Sequence, residues 1–498
     1  MVSFASQSGL SMLLGVFIVF ALLLVLNGCS TLRSAKPWHK TELQQEFRAS
    51  MVKAATAKAI LTGAEMPAYR WSDYLAQEEK LFAELRNSLH EAETYQGYRF
   101  DVKSPLNPLN QTHNWNRSFI LTPEKVRAGI VMIHGLTDSP YSVRSLANSF
   151  VQQGFLVIAL RVPGHGTLPS GLLNVRWRDW AAATQLAAEE MQRRLGDNPH
   201  FYILGYSNGG TLALNYTLDT LQNPQLPQPK KVILLSPMIG ISKFAGLSKP
   251  LEWIGKLPLL SSRRWLNKSP EYNPFKYNSF PVNAAWQAHR FSRHVQFKIQ
   301  RLAKQQKLKH LPPVLGFQSV VDATVNTAAI EEYFYRYVPA NHSELVLFDI
   351  NRHQDFLPIT RNSASRYLTS HFAPALRTYD LVKIANRNPN TMEVSEWRQV
   401  AGSMDEQEQP LGLEFPAGVF SLSHVALPFA MTDPLYGLTP SSAENFGIRL
   451  GNRHLLGETN TLIIKATTGM RLYCNPFYDY MEARIFAWLG VDSLPRAD

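Results

Sequence analysis

The chain has 498 residues, of which 45% are hydrophobic and 18% are charged. This composition excludes an intrinsically disordered chain and provides enough apolar surface for a large core. The two cysteines exclude a small scaffold that depends on several disulfides. The formal net charge of +11 favours acidic partners. Because no nucleic-acid-reading motif accompanies that charge, we expect no nucleic-acid partner.

The N-terminal region carries an apolar run over residues 12–26, and Asn27, Gly28 and Cys29 follow it. This pattern is similar to a bacterial lipoprotein signal over residues 1–29. The resemblance implies cleavage before Cys29 and attachment of lipid to its thiol. Ser30 at the next position favours the outer membrane. We therefore expect a lipid-anchored protein of the bacterial cell envelope, on the outer membrane and facing the periplasm.

An uncleaved membrane anchor is the alternative for the same segment. No Lys or Arg precedes the apolar run, whereas Arg33, Lys36 and Lys40 follow it. Basic residues after an apolar segment favour a cytoplasmic body on an uncleaved anchor. Residues 30–97 then show apolar residues at helical spacing and predict a helical extension. This extension is either a stalk or a pair of helices docked on the core.

A regular alternation of strands and helices begins near residue 128. Three apolar runs predict buried strands at Ala128–Ile133, Phe155–Leu160 and Phe201–Leu204. Helical patterns separate the strands. Alternating strands and helices of this kind predict a parallel sheet with helices on both faces, and hence the α/β class.

The third of these strands leads directly into Gly205–Gly209, with the sequence GYSNG, and a helical pattern follows. A serine at such a strand-to-helix corner has a strained backbone and is exposed above the sheet edge. The flanking glycines avoid collisions across the tight turn. The helix that follows points its N-terminus at Ser207 and favours a developing negative charge there. Ser207 is therefore the candidate nucleophile.

Four motifs together resemble the α/β-hydrolase family. Within it they are similar to the branch of bacterial carboxylesterases, monoacylglycerol lipases and serine aminopeptidases. The resemblance implies a mostly parallel central sheet flanked by helices, with a helical cap and, in this chain, an extra C-terminal insertion. It is firm from Ala128 to Met238 and resumes from Pro312 to Asp349. The motifs are HGLTDSP at His134–Pro140, PGHGT at Pro163–Thr167, Asp179–Trp180, and GYSNG at Gly205–Gly209.

The family resemblance also implies the partners of Ser207. The backbone N–H groups of Asn208 and Leu136 are the expected oxyanion hole. The family keeps its carboxylate after the strand that corresponds to Val314–Phe317, and Asp322 is the only acid in that loop. A carboxylate there would hold an imidazole in the correct tautomer. His134 is expected to be structural.

Two histidines are candidates for the base. His353 follows the last expected core strand, Glu344–Asp349, at the usual family spacing. His424 lies in Ser421–Phe429, which has the form of a short strand that ends in a histidine. We favour His424 and keep His353 as the alternate base. A final amphipathic helix near Tyr478–Leu489 is expected after the histidine.

The segment 241–312 contains 14 basic residues and two acidic ones, together with many aromatic residues. The family inserts its cap at this place. A basic, aromatic cap favours contact with anionic headgroups or an anionic substrate, although a solvated helical face explains the charges equally well. The expected divisions are a signal at 1–29, an extension at 30–97, core at 98–240, a cap at 241–312, core at 313–353, an insertion of unknown role at 354–420, and a C-terminal core segment at 421–498.

These observations predict a serine hydrolase that cleaves carboxylic esters. Lipid-like esters such as monoacylglycerols or lysophospholipids are the preferred substrates, and the N-terminal lipid is the link to the membrane. A serine aminopeptidase-like peptidase and a non-catalytic lipoprotein binding module on a hydrolase fold are the alternatives. Acyl transfer remains open because the same triad performs it. We expect no cofactor and no metal site, since no Cys/His cluster has zinc spacing.

Overall fold

The computed structural model describes residues 46–48, 69–91, 98–197, 200–240, 264–322, 324–356, 358, 360–451 and 471–491. The described strands are β1 (Phe119–Leu121), β2 (Ala128–Ile133), β3 (Phe155–Leu160), β4 (Phe201–Tyr206), β5 (Lys231–Leu235), β6 (Trp265–Asn267), β7 (Phe280–Pro281), β8 (Val314–Ser319), β9 (Glu344–Phe348), β10 (Asp380–Asn386), β11 (Glu393–Gln399) and β12 (Glu406–Glu414).

Ten of the described strands form one sheet in the order β1-β3-β2-β4-β5-β8-β9-β10-β11-β12. Every neighbouring pair from β3 to β10 is parallel, whereas β1, β11 and β12 pair antiparallel with their neighbours. The central strands are apolar runs buried along their whole length, as expected of parallel strands covered on both faces. The mostly parallel central sheet predicted from the sequence is confirmed.

Helices cover both faces of this sheet. They are α1 (Trp71–Glu91), α2 (Arg144–Gln152), α3 (Trp177–Leu195), α4 (Asn208–Thr220), α5 (Val282–Lys304), α6 (Thr327–Tyr333), α7 (Asn362–Ser365), α8 (Tyr367–His371) and α9 (Tyr478–Leu489). Alternate residues of β2 belong to two different hydrophobic clusters. Val131 packs in the cluster that contains α3, α4 and α5, whereas Met132 packs in the cluster that contains α2 and α9.

The described part of the N-terminal extension is docked on the core. Trp71 and Tyr74 of α1 join the hydrophobic cluster under α3, and so does Phe47. The Arg161 guanidinium, just after β3, lies 2.9 Å from the Glu78 carboxylate of α1. Of the two alternatives, α1 is therefore docked on the core and is not a free stalk.

The helix α5 changes the extent of the predicted cap. Residues 241–263 lie outside the described part, and β6 and β7 form a short antiparallel pair. From Val282 onwards, however, α5 packs in the helical layer, with Phe291, Val295 and Ile299 fully buried. The interpretation of residues 282–312 as cap is therefore wrong for α5. The apolar residues of α5 recur at helical spacing and bury one stripe.

The insertion at 354–420 extends the central sheet. The sequence of this segment predicts a helix near residues 364–372, a short strand at 380–384, an extended stretch at 392–400 and an acidic turn at 405–408. The helix is two short helices, and the strand and the extended stretch are β10 and β11. The acidic turn predicted at 405–408 is wrong, since β12 begins at Glu406 and pairs with β11. Glu406 pairs with Lys383 of β10, and Glu408 lies 3.6 Å from Arg387. Charged residues of this kind protect an edge strand from pairing with other chains.

The chain after the insertion returns to the other strands. The short strand predicted before His424 is wrong, because a loop leads into a single 3-10 turn at His424–Ala426. Single hydrogen bonds hold this loop against the strand ends. For example, the hydroxyl of Ser319, the last residue of β8, donates to the Leu422 carbonyl over 2.6 Å. The predicted final helix is confirmed as α9.

The helices of the described part are too short or too polar to cross a bilayer. The predicted signal at 1–29, with Cys29, lies outside the described residues.

Candidate active site

Ser207 occupies a sharp corner between β4 and α4. Its backbone has φ 55° and ψ −115°, a conformation that costs a non-glycine residue about 1–3 kcal/mol. Hydrogen bonds hold this backbone in place. The Ser207 N–H donates to the Leu235 carbonyl over 2.8 Å, and the Ser207 carbonyl accepts from the Met238 N–H over 3.0 Å. The end of β5 therefore sustains the strain at Ser207.

The two glycines of the GYSNG motif are required by close backbone contacts. A Cβ at Gly205 would lie 2.1 Å from the Gly209 carbonyl oxygen. A Cβ at Gly209 would lie 2.1 Å from the Ile133 carbonyl oxygen at the end of β2. The corner can be this tight only when both side chains are absent.

Ser207, His424 and Asp322 are joined by hydrogen bonds. The Ser207 Oγ lies 2.9 Å from His424 Nε2, and His424 Nδ1 lies 2.6 Å from Asp322 Oδ2. Ser207 and His424 are 6% and 3% exposed, so both lie in a largely water-excluded place. The structure thus brings together the predicted nucleophile, the favoured base and the predicted acid.

The loop after β8 fixes the Asp322 carboxylate. Asp322 Oδ1 accepts from the N–H groups of Thr324 (2.7 Å) and Val325 (2.9 Å), and Gln318 donates to Oδ2 over 2.9 Å. Burial by itself raises the pKa of Asp322, but His424 and these N–H donors outweigh burial and leave the pKa below its usual value. Asp322 is therefore an anion that can orient and stabilise an imidazolium at His424.

Gln318 is a residue of this site that the sequence analysis missed. It is the fifth residue of β8, buried at the carboxyl end of the strand, four residues before Asp322. A polar side chain inside an otherwise apolar strand run was the available signal, because buried amides almost always have a hydrogen-bonding partner.

His353 lies in a different local environment from His424. The backbone N–H of His353 donates to the Asn351 side-chain oxygen over 3.0 Å. The Nδ1 atom of its imidazole lies 3.2 Å from the Asp355 carboxylate. These contacts are all within its own loop after β9. Among the described residues, the imidazole bonded to Ser207 is that of His424.

The predicted oxyanion loop lies against Ser207. A Cβ at Gly135 would be 3.2 Å from the Ser207 Cβ, so the backbone before Leu136 passes directly beside the serine. Asn208 is the first residue of α4 and is fully buried. In the β2–β4 register Ile133 pairs with Gly205, which brings the loop after β2 beside the corner after β4. Both predicted N–H donors therefore belong to segments that meet at Ser207.

His134 connects this loop to the loop after β3. The Val162 N–H donates to His134 Nε2 over 3.0 Å, and His134 Nδ1 lies 2.8 Å from the Gly135 carbonyl. Burial, together with the nearby His165, lowers the pKa of His134 well below its usual value. A neutral imidazole that accepts at Nε2 and donates at Nδ1 fits both contacts, in keeping with the structural role expected from the sequence.

No group of three or more His, Cys, Asp or Glu side chains suited to hold a metal ion occurs within the described ranges.

The sheet order and the serine corner between β4 and α4 define an α/β-hydrolase. Residues 124–357 match the family model described as Hydrolase_4, serine aminopeptidase, S33. The chain has the α/β-hydrolase fold, and over residues 124–357 it is similar to the branch that its motifs resemble. The match ends at residue 357, so the segment with His424 lies beyond it.

Individual relatives cover only parts of the chain. Thermostable monoacylglycerol lipase from Bacillus sp. (strain H-257) is 31% identical over 86 residues, which are 17% of this chain and 33% of that protein. The chain thus spans about a third of the length of this relative.

Two solved structures illustrate the distant structural likenesses of the chain. One comes from work on LipS and LipT, two metagenome-derived lipolytic enzymes, at 21% identity and a TM-score of 0.38 over 48% of this chain and 90% of that chain. The other is a soluble variant of monoglyceride lipase from Saccharomyces cerevisiae in complex with a substrate analogue. It has 16% identity and a TM-score of 0.36 over 46% of this chain and 81% of that chain.

Proposed function

We propose that this chain is a serine hydrolase that cleaves carboxylic esters, with lipid-like esters such as monoacylglycerols or lysophospholipids as substrates. The observation that carries the proposal is the hydrogen-bonded chain Ser207–His424–Asp322 at a strained strand-to-helix corner. Serine, imidazole and carboxylate in this order form the arrangement that activates a hydroxyl for attack on an acyl carbon.

The proposed reaction has two halves. In the first, His424 Nε2 takes the proton of Ser207 Oγ while Oγ bonds to the acyl carbon, and the N–H groups of Leu136 and Asn208 stabilise the oxyanion. The bond to the leaving alkoxide then breaks, and His424 gives that alkoxide its proton. In the second half, water gives a proton to His424, attacks the acyl-enzyme and releases the acid. Ser207 recovers its proton from His424.

The preference for lipid-like esters rests on two observations. Leu136 packs against the buried apolar cluster of Met238, Ala288 and Val325, so apolar side chains lie directly beside the predicted oxyanion loop. An acyl chain gains about 0.8 kcal/mol per buried CH₂ group from apolar surroundings of this kind. The matching relative is named a monoacylglycerol lipase. An acceptor other than water would make the same acyl-enzyme an intermediate of acyl transfer.

A peptidase of the serine aminopeptidase type is a second candidate, because the matching family model carries that description. An aminopeptidase must bind a free ammonium group beside the nucleophile. Turnover of p-nitrophenyl esters of increasing chain length should be compared with turnover of aminoacyl-naphthylamides. Hydrolysis of the amides alone would replace the esterase proposal with the peptidase.

The experiment that tests the proposal is labelling with a fluorophosphonate probe, which reports an activated serine without knowledge of the substrate. The soluble protein without residues 1–29 should be labelled, and Ser207→Ala should abolish labelling. We expect His424→Ala to slow labelling by about 10⁴-fold or more and His353→Ala to leave it unchanged. A folded wild type that resists labelling would support a non-catalytic binding module. Loss of labelling in His353→Ala but not in His424→Ala would reverse the assignment of the base.

The lipid anchor in the bacterial envelope is a proposal of its own, supported by the pattern that ends at Cys29. Full-length protein expressed in bacteria fed a clickable palmitate should incorporate the label, and Cys29→Ser should not. Equal incorporation in both, or none in either, would favour the uncleaved anchor.

A further inference from the structure

The solvent side of α5 carries one continuous row of aromatic and basic residues, which we call the outer face of α5. Its members recur every three or four residues, so they lie on the same side of the helix. They are Trp286, Arg290, Arg293, Phe297, Arg301 and Lys304. Trp286 is half-buried and the other five are exposed. At 1.5 Å per residue, this row is about 27 Å long.

The opposite side of α5 is packed in the core, which fixes the orientation of the helix. Phe291, Val295 and Ile299 are fully buried there. Further along the buried side, the Ser292 hydroxyl donates to the Ile239 carbonyl over 2.5 Å. The outer face is therefore held towards solvent by contacts along the length of the helix.

The outer face is positively charged without acids of its own. The sequence of α5 contains no Asp or Glu. In the described part of the chain, no carboxylate oxygen lies within 4.0 Å of the four cations. Arg293 donates to the neutral Gln296 amide over 3.1 Å, and Arg301 donates to the neutral Gln222 amide over 2.8 Å. Among the described residues, ion pairs thus leave these four charges unneutralised.

Acids on the neighbouring helices do not remove this excess of positive charge. On α4, Asp219 pairs with the buried Lys298 of α5 over 2.7 Å. On α3, Glu190 pairs with two arginines of its own helix. The helix α6, which packs on α5, adds Glu331 and Glu332, two acids against the four cations of the outer face.

The aromatic residues of the outer face are a second, independent observation. The Phe297 side chain is 58% exposed, and the Arg293 guanidinium lies 4.8 Å from the centroid of its ring. The Arg290 guanidinium lies 5.9 Å from the centroid of the Trp286 ring. An exposed phenylalanine gains free energy when an apolar surface covers it. Aromatic rings beside basic residues are typical of protein surfaces that lie in the headgroup layer of a membrane.

A face that meets only water has a different composition in this protein. The helix α1 exposes two acids, Asp73 and Glu79, together with two bases, Lys80 and Arg86. Its Trp, Tyr and Phe side chains are buried. Charges of both signs are typical of a solvated helical face. The outer face of α5 differs in both respects, because its charges have one sign and it exposes a phenylalanine.

We propose that the outer face of α5 binds an anionic lipid surface, with its four cations at the lipid phosphates and Trp286 and Phe297 in the headgroup layer. Basic residues near anionic lipid and apolar rings buried at the interface both add to the affinity. Non-specific binding of single-stranded nucleic acid uses a basic groove, whereas these residues form the ridge of one helix. The proposal goes beyond the hydrolase function and does not depend on it, because it concerns where the protein binds and not what it cleaves.

Vesicle flotation tests the outer face independently of catalysis. The protein to use is Ser207→Ala without residues 1–29, which lacks the nucleophile and the expected anchor. All the contacts described above lie between residues 46 and 491, so this protein retains every contact except those of the Ser207 hydroxyl. We expect vesicles of equal parts phosphatidylcholine and phosphatidylglycerol to bind it at least about ten-fold more tightly than phosphatidylcholine alone.

Variants of the outer face should weaken binding to the anionic vesicles. Arg290→Gln combined with Arg293→Gln should reduce the affinity by about 25-fold, about five-fold for each cation. Phe297→Gln should reduce it by about three-fold or more, because the ring no longer enters the interface. An affinity unchanged by Phe297→Gln would overturn the placement of that ring in the headgroup layer.

The matched control is Arg193→Gln combined with Arg194→Gln on α3. It removes the same charge from two exposed arginines and should change the affinity by less than about two-fold. Equal losses in the two double variants, or equal binding to neutral and anionic vesicles, would overturn the lipid-binding face. Polyglutamate bound as tightly as anionic vesicles would replace the lipid with an acidic protein partner. Failure of the fluorophosphonate to label wild type would instead overturn the hydrolase while the vesicle result stood.

Discussion

At the scale of single residues, the site depends on backbone positions that few side chains can occupy. Ser207 adopts a positive φ, and Gly205 and Gly209 leave no room for a Cβ on either side of it. These requirements are local, so the sequence motif could predict them. Asp138 is different, because its raised pKa depends on burial by the surrounding fold.

Asp138 gives a prediction about pH at this scale. The carboxyl is 2% exposed, and its Oδ2 has no hydrogen-bonding partner within the described ranges. Burial raises its pKa from 3.8 to about 6. Because the folded-state pKa exceeds the unfolded value, its contribution to stability is full below pH 3.8 and is lost as the pH rises through about 6.

Asp138→Asn removes this titration. Relative to wild type, the free energy of unfolding of the variant should increase by about 3 kcal/mol between pH 4 and pH 7. Urea unfolding at several pH values measures the difference. Asp197→Asn, at an exposed position, is the control and should follow wild type throughout. A difference in unfolding free energy between Asp138→Asn and wild type that does not vary with pH would contradict the raised pKa of the Asp138 carboxyl.

At the scale of elements, the docking of α1 depends on ion pairs that cross between distant segments. The Arg161 guanidinium is 3% exposed and contacts Glu78 at 2.9 Å and Glu46 at 3.5 Å. It also donates to the His165 carbonyl over 2.7 Å. The sequence predicted the apolar stripe of α1 from its spacing. The sequence did not predict where α1 docks, because an amphipathic pattern indicates that one face is buried but not which surface buries it.

Arg161→Met should leave the buried carboxylate of Glu78 unpaired. Breaking a buried ion pair from one side costs about 3–5 kcal/mol, so we expect a loss of unfolding free energy of that size. Limited proteolysis should then cleave near α1 first. Arg161→Met combined with Glu78→Gln should recover part of the loss.

The control for this prediction is Arg193→Met, which breaks the ion pair with Glu190. The Arg193 side chain is 67% exposed, so solvent screens this pair and the loss of unfolding free energy should be much smaller than in Arg161→Met. Equal losses in Arg161→Met and Arg193→Met would mean that the buried network does not hold α1.

At the scale of the whole molecule, the last helix completes the fold from the far end of the chain. Ile485 and Phe486 of α9 belong to the same hydrophobic cluster as α2, and the rings of Phe150 and Phe486 lie 4.8 Å apart. His424 joins a carboxylate 102 residues earlier and a serine 217 residues earlier. Within the described residues, the part around His424 and the helix α9 therefore belong to the hydrolase core.

Ile485→Ala should destabilise the entire protein in one transition. The side chain is fully buried, and removing its methyl groups leaves a cavity that costs about 2–5 kcal/mol. Fluorophosphonate labelling should be lost at the same urea concentration as tryptophan fluorescence changes. Ala483→Gly, at an exposed position of α9, should cost only about 1 kcal/mol. Loss of labelling well before the change in fluorescence would mean that the C-terminal segment unfolds separately.

The sequence by itself determined the features that depend on neighbouring residues. The apolar runs specify β2, β3 and β4, the GYSNG motif specifies the corner at Ser207, and the helical spacing specifies α9, because each depends on steric and burial effects within a few residues. The order of strands and helices was sufficient to predict a parallel sheet.

Only the tertiary structure decided what depends on contacts across long separations. Spacing alone left two candidate bases. In the structure, β10, β11 and β12 extend the sheet at its edge, and the chain then returns to the end of β8. This return brings His424 to Ser207. The acidic stretch at Glu406 resembled a turn until its pairing with β11 was known. Strand pairing and charge placement are properties of the folded chain, since they arise between residues that only folding brings together.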